Sequence, residues 1–478
     1  MSRRFLVRLT LAALLVRLLV LGLTYAAPRA LALRNYAPSP RTCDSLGEYL
    51  ARRPQCAVLA EDEIAYDALG RNIAAGRGFE VDQDWVLAAA GTPTAYGGFL
   101  YPAFVGAVYA ATRDNALALF VLQSLIGALA VAGMAAAAFH LGGERAALAA
   151  GILGALHPGL ALDSAWVMSE ALAVPLLVGA SLLWIRYLAR PSYGTAALFG
   201  ATAAAGCLTR SPAVFALGMM VLMSIWGGRP QRETTTQGTP EAGFPAKPGV
   251  PKGSPVSARA RPARTEHGPT PAARARLGVA RHLALALVVF ALCVAPWAAR
   301  NARLFHAFVP FDTKAGAGLW LNNHPSPDPY REAWTEQLDP HPAPGPVTGL
   351  NEAQADAHFR HLALAYATSE PATLAGISAM RLGLALVPVP RYWGRWPAVR
   401  LVSTAAYVAL TWLALYGLWL VRRSAAGRAL GGFVVAWLLM MSFTAAGLRH
   451  RLAAEWAFTV AAGVALAVVF RRRSAARD

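Results

Sequence analysis

The chain has 478 residues, of which 56% are hydrophobic and only 15% charged, with 44 Lys and Arg against 26 Asp and Glu. So apolar a chain cannot cover a soluble surface with ionised groups; this excludes an ordinary soluble globular protein and makes a bilayer the solvent for much of it. The net charge of +18 collects at the ends of apolar segments, where the positive-inside bias puts it, so it carries no implication of nucleic acid.

Apolar windows fall at 5–26, 116–140, 146–162, 171–188, 194–209, 211–227, 281–298, 401–421, 429–446 and 452–470. At 1.5 Å per residue each is about long enough to cross roughly 30 Å of hydrocarbon. The expected fold is an all-α polytopic membrane protein of about ten transmembrane helices, within a range of roughly 9–13. The first window follows Arg3, Arg4 and Arg8 and has too long an apolar core for a cleaved signal, so it reads as an anchor. With Met1 cytoplasmic, 28–98 becomes a large outer loop within an N-terminal module, 1–227. Cys43 and Cys56 lie in that loop, where a disulfide would close about fourteen residues and stabilise them by ~3 kcal/mol; Cys207 and Cys293 sit in apolar spans and read as small core residues.

Inside the first loop, EDEIAYDALGRNIAAGRGF reads as a helix ending near Gly76–Gly78. Helical spacing puts Asp62, Tyr66 and Leu69 on one face and Glu63 and Asp67 on the next. The segment 228–280, rich in Pro, Gly, Thr, Arg and Ala, cannot bury a core and reads as a disordered basic cytoplasmic linker. A C-terminal module, 281–478, carries a second outer region at 299–400. There 351–370 has the pattern of an amphipathic surface helix, and Pro371 opens another. A crossing at 372–389 would put Arg422, Arg423, Arg428 and the basic terminus outside, so that stretch is expected to lie in the interface or re-enter.

Charge at the centre of a span costs about 2.5–3.5 kcal/mol, so acids belong at span ends unless they have a task. The acids that stand out are all outside: Asp62 and Glu63, and then Glu170 in HPGLALDSAWVMSEAL, which could equally cap the next helix beside Ser169. Arg210, Arg300, Arg303, Lys314, Arg381, Arg391, Arg395, Arg400, Arg449 and Arg451 lie on the same side, where the positive-inside bias predicts few cations. That excess asks for an anionic partner, and guanidinium binds phosphate bidentately.

The ordered set DEIAY, GRGF, PTAY, FLYPAF, ALHPGLALDSAWVMSEAL, LTRSPA, APWAARNARLFHAFVPFDTKAGAGLWLNNHP and GLRHRLAAEWAF resembles the GT-C glycosyltransferases related to protein O-mannosyltransferases and the lipid A aminoarabinose transferase. The resemblance implies a GT-C type bundle with juxtamembrane helices in large outer loops. It also implies transfer of a sugar from a polyprenyl-phosphate donor to a glycolipid, polysaccharide or protein acceptor, at the outer face of a bacterial inner membrane. It assigns Asp62 as the first-loop acid with Glu63 beside it and Tyr66 one turn on, Glu170 as the second-loop acid, Arg210 to the LTR-P element, Asn323 and His324 to the LW-x-N-N-P element, and Arg449 and Arg451 as the basic pair before the last span. Chemically, Asp62 serves as general base, Arg449 and Arg451 as lipid-phosphate ligands, and Arg210 and Arg300 as electrostatic support, and direct displacement inverts the anomeric centre. A divalent ion on Glu63 or His324 is the one cofactor implied, though no spacing is diagnostic. The competing reading, a transporter or flippase for a lipid-linked or anionic substrate, finds no internal repeat and only scarce midspan charge to support it. Sugar, acceptor and lipid length stay open.

Overall fold

The computed structural model describes residues 1–26, 48, 51, 62–84, 87–226, 271–326, 328–330, 347–388, 397–445 and 447–475. The Cys43–Cys56 pairing and most of the 228–280 linker lie outside the described residues. The described residues are mostly helical or irregular and include an isolated bridge between Glu80 and Pro93.

Every apolar window coincides with a helical segment. The helices are α1 (Arg3–Ala26), α2 (Asp62–Ala74), α3 (Leu100–Thr112), α4 (Ala116–Leu156), the short α5 (Pro158–Leu162), α6 (Glu170–Ala189), α7 (Tyr193–Thr209) and α8 (Ala213–Ile225). After them come α9 (Pro271–Phe305), α10 (Ala315–Asn322), α11 (Glu352–Ser369), α12 (Pro371–Leu386), α13 (Pro397–Val421), α14 (Ala425–Phe443) and α15 (Leu448–Ala475). Seven of these, α1, α4, α6, α9, α13, α14 and α15, are long and apolar enough to cross a membrane. α4 is itself a hairpin: Gly143 turns at φ +77°, ψ −162°, and a Cβ on Gly154 would stand 3.1 Å from Met134 Sδ, so its two halves run side by side. The positive φ is why glycine occupies the turn. α9 begins at Pro271, ten residues before the apolar window, so part of the expected linker is helix.

The protein is a multi-pass membrane protein whose outward surface is apolar. Leu11, Leu15, Leu19 and Leu23 on α1 and Leu287 and Leu292 on α9 are exposed, while Arg17, Gln123 and Ser124 are buried. Lipid is the medium in which that inversion costs nothing. α15 lies at the centre, most of it buried, packed on α4 and α13; α8 packs on α14. Cys207 is buried as expected, whereas Cys293 is exposed on α9.

Contacts fix which helix ends share a side. The Met1 ammonium lies 3.7 Å from Glu144 in the α4 turn, and Arg428 at the start of α14 donates to the Met223 and Ser224 carbonyls at the end of α8. At the opposite end, Phe79 and Phe99 of the first loop pack on Trp297 near the end of α9. Following the helices from there, α9 ends and α13 begins on the same side, and α12 ties to that side through the Asn322 carbonyl and Asn323, which fits a helix lying at the interface. Its 16 residues, about 24 Å at 1.5 Å each, are also short for a span. α11 is helical as expected and opens with a reciprocal cap between Asn351 and Gln354, but its buried positions are Glu352, Ala353, Ala355, Asp356 and Ala363 while Leu364 is exposed, so its inner face is not the expected apolar stripe; Pro371 begins α12.

One charged group inside the bundle is held by several partners at once. Arg451 is wholly buried, donates to the Ala385 carbonyl at 2.6 Å and Thr411 Oγ1 at 2.8 Å, and pairs with Glu455 at 2.7 Å; Glu455 in turn meets His157 Nε2 at 3.3 Å. His157 Nδ1 accepts from the Leu160 amide, so Nε2 carries the proton that faces Glu455. Removing one partner of such a pair costs about 3–5 kcal/mol, whereas apolar groups of matching volume recover much of it. Arg451→Met should therefore lower the thermal midpoint in detergent clearly, and adding Glu455→Leu should restore part of the loss. A double variant no more stable than the single one would contradict this assignment.

Candidate active site

Four segments distant in sequence converge where the first outer loop meets the bundle. Asp62 and Glu63 open α2, where their negative charge suits the helix N-terminus. From there Asp62 pairs with Arg449 in the first turn of α15, 387 residues away. Arg449 Nε also lies 3.5 Å from Glu170 Oε1, and the same Glu170 oxygen accepts from Arg210 Nη1 at 2.5 Å. Ser169 makes no capping hydrogen bond at the start of α6, and Glu170 turns to two arginines. The result is a chain of alternating charge, Asp62–Arg449–Glu170–Arg210, that joins α2, α15, α6 and the end of α7.

The local backbone explains the arrangement. At the end of α7 the Arg210 backbone becomes extended (φ −150°, ψ 103°), which carries its side chain off the helix toward Glu170. The loop at Tyr96–Phe99 threads between Tyr66 and that helix end. Gly97 and Gly98 both have positive φ; a Cβ on Gly97 would lie 2.9 Å from the Tyr66 ring and one on Gly98 would lie 2.9 Å from the Leu208 carbonyl, which also accepts from the Phe99 amide at 3.0 Å. Tyr66 stands edge-on to Tyr101 at 5.0 Å, on the same side of α2 as Asp62.

Glu170 is wholly buried, but Asp62 and Arg449 keep 27% and 22% of their side chains exposed, so this pair can be reached from outside. Burial works to raise the Asp62 pKa, yet the Arg449 guanidinium and then Lys314 outweigh it and hold the carboxyl down at about 2. Burial pulls the Lys314 ammonium down, but Tyr66, Tyr96 and Asp62 more than compensate, and the group stays firmly charged. Its Nζ lies 5.2 Å from the centre of the Tyr96 ring. His450, between the two arginines of GLRHRL, adds a ring beside Arg210, Arg449, Glu170 and Asp62. An ionised acid, two guanidiniums and an ammonium thus meet at a partly open surface.

No protein-family model matches the sequence, and no curated protein sequence does. Among solved structures, the oligosaccharyltransferase of Archaeoglobus fulgidus in its apo form superimposes with a TM-score of 0.53 at 12% identity, over 100% of this chain and 52% of that one. The Archaeoglobus fulgidus oligosaccharyltransferase AglB in complex with an inhibitory peptide and a dolichol-phosphate gives 0.50 at 12% identity, over 98% and 51%. The chain shares the fold of that archaeal protein, a GT-C type helical bundle. It spans about half the length of those archaeal chains. ArnT from Cupriavidus metallidurans bound to undecaprenyl phosphate overlaps at a TM-score of only 0.38 with 13% identity, over 95% and 78%, too loosely to build on.

Within this GT-C bundle the remaining sequence candidates lie apart from the cluster. Arg451 belongs to the buried pair described above, so the reading of two phosphate ligands narrows to Arg449: residues two apart on a helix point about 200° apart. Arg300 donates to the Thr94 carbonyl and Asn301 Oδ1, each at 2.9 Å, and lies 4.6 Å over Trp297; it anchors the first loop to α9. Asn323 donates to the Leu319 and Phe443 carbonyls and accepts from Arg381, which makes it a tie between helices. Glu63 is wholly buried and turned from Asp62 by one helical step, while Asp67, on the face it shares, accepts from the Tyr109 hydroxyl. His324 is buried with Nδ1 3.0 Å from the Pro325 carbonyl oxygen. Among the described residues no three His, Cys, Asp or Glu side chains converge as metal ligands, so Glu63 and His324 do not make a donor set there, and no step is built on a metal.

Proposed function

We propose that this protein is a glycosyltransferase that moves a sugar from a polyprenyl-phosphate donor to a hydroxyl acceptor, with inversion, at the outer face of a bacterial inner membrane. The observation that carries the proposal is the Asp62–Arg449 pair, a carboxylate and a guanidinium brought together from opposite ends of the chain at an accessible edge of the bundle. The matched archaeal oligosaccharyltransferase, which has the same fold and was captured with dolichol-phosphate and a peptide, supports a lipid-phosphate donor. The outer placement follows from charge: Arg3, Arg4, Arg8, Arg186, Arg190, Arg422, Arg423 and Arg428 all lie at the end of the bundle opposite the cluster, which the positive-inside bias assigns to the cytoplasm.

In this reading the donor phosphate takes the place of Asp62 as the partner of Arg449, with Arg210 and Lys314 adding positive charge. The carboxylate so released accepts the acceptor hydroxyl proton while the acceptor oxygen bonds to the anomeric carbon and the bond from that carbon to the phosphate oxygen breaks. The electron pair leaves on the polyprenyl phosphate, where the guanidiniums stabilise it. Glu170 holds Arg210 and Arg449 and is a positioning group. Asp62 then loses its proton to water. Sugar and acceptor are set by surfaces that this chemistry leaves open.

The test uses purified protein, a labelled polyprenyl-phosphate sugar and an envelope extract as acceptor source. Release of free polyprenyl phosphate together with label in the acceptor fraction is the expected result. An intact donor that has only changed leaflet in vesicles would instead establish the transporter reading.

A further inference from the structure

Arg449 lies in the first turn of α15, shortly after α14 ends at Phe443, so its place is set by whatever holds Phe443 on one side and Arg451 on the other. Both holds lead to α12. Arg381, 4% exposed, donates Nη1 to Asn323 Oδ1 at 2.8 Å and Nη2 to the Asn322 carbonyl, gripping the end of α10. Asn323 passes the contact on, donating Nδ2 to the Phe443 carbonyl at 2.8 Å, at the last residue of α14. One turn along α12 from Arg381, the Ala385 carbonyl accepts from Arg451 Nη1. A third tie comes from Trp437, whose Nε1 donates to the His450 carbonyl at 2.9 Å.

The burial of an arginine in a short interfacial helix needs a reason, because a guanidinium loses hydration there. A fork of parallel donors that grips a carbonyl and an amide oxygen at once is suited to fixing a backbone. We propose that Arg381 is a positioning residue for the donor phosphate: through Asn323 it fixes the end of α14, and with it the start of α15 and the direction in which Arg449 points. The Asn322–Asn323 pair then acts through Arg449 and makes no contact with substrate. α12, which sequence patterning leaves in the interface or as a re-entrant piece, becomes the clamp for the phosphate side of the site. The inference rests on the reading of Arg449 as phosphate ligand.

The experiment measures KM for the labelled donor and, separately, for the acceptor, in Arg381→Met, Arg381→Lys, Asn323→Ala, Arg449→Ala and the Arg381→Met, Arg449→Ala double variant. A misplacement of about 1 Å can cost up to ~100-fold, so Arg381→Met and Asn323→Ala should each raise donor KM roughly tenfold or more, with acceptor KM unchanged. Arg381→Lys, which can keep one of the two contacts, should fall between. Adding Arg381→Met to Arg449→Ala should cost nothing further, because coupled residues are non-additive. If Arg381→Met does not fold, Asn323→Ala alone carries the comparison. Unchanged donor KM in the Arg381 and Asn323 variants beside a raised KM in Arg449→Ala would overturn this inference and leave the functional reading intact. Unchanged donor KM in Arg449→Ala would remove the functional reading, and this inference with it.

Discussion

Asp62→Asn should abolish sugar transfer, lowering kcat by about 10²–10⁴-fold, the range that a positioned general base contributes. Asn has the same shape and still accepts a hydrogen bond from Arg449, so the fold and the approach of the donor should survive. What it cannot do is take the acceptor proton. Binding and chemistry therefore separate. In the free protein the Asp62 carboxylate competes with any phosphate for Arg449. A neutral Asn competes less, so donor affinity should be unchanged or higher while turnover disappears. Single-turnover release of polyprenyl phosphate measures the turnover, and competition of unlabelled polyprenyl phosphate for bound donor measures the affinity. Turnover within threefold of the wild type would remove Asp62 from the chemistry.

Much of the fold is legible in the sequence because hydropathy is a local signal. Each of the ten apolar windows became a helical segment, and the break between the windows 116–140 and 146–162 is the reversal inside α4 at Gly143. The helices α2 and α11 were legible for a similar reason, since helical periodicity is written in residues a turn apart. α3 was not: GGFLYPAF reads as turn and re-entry, and only the packing of Tyr101 and Tyr109 against Tyr66 and Asp67 shows why the stretch coils. Within the candidate site, the acids and arginines could be named one by one, but their pairing could not, because Asp62 finds Arg449 across 387 residues and no periodicity spans that distance. Arg451 is a different lesson. Helical spacing already places it on the face opposite Arg449, and its preference for Glu455 at i+4 was there to be read. His450 and the part played by Lys314 had no such signal; each matters only through the neighbours that the fold supplies.

The second large effect is expected from Arg449→Ala, and its pH dependence distinguishes loss of a ligand from loss of structure. A charge-assisted hydrogen bond to phosphate contributes about 1.5–3 kcal/mol, so donor KM should rise roughly 10- to 100-fold. Arg449 also holds the Asp62 carboxyl at about 2, against the upward push of burial. A depressed carboxyl favours the folded, ionised state above the ordinary carboxylate range near 4, and that contribution is lost as pH falls toward 2. Over pH 4.5–8 the wild-type Asp62 should therefore stay ionised and put no acid limb on kcat/KM for the free enzyme. Without Arg449, burial is opposed chiefly by Lys314, the Asp62 pKa rises, and an acid limb should enter the measured range. The same change should make folding stability of the variant less sensitive to acid, since less pairing remains to be lost on protonation. Arg449→Lys, which keeps a charge but not the planar fork, should restore the flat profile more fully than the donor affinity. A variant whose profile simply scales down at every pH would show that Arg449 binds the donor without governing Asp62, and the exchange of partners on which the mechanism depends would then have to be abandoned.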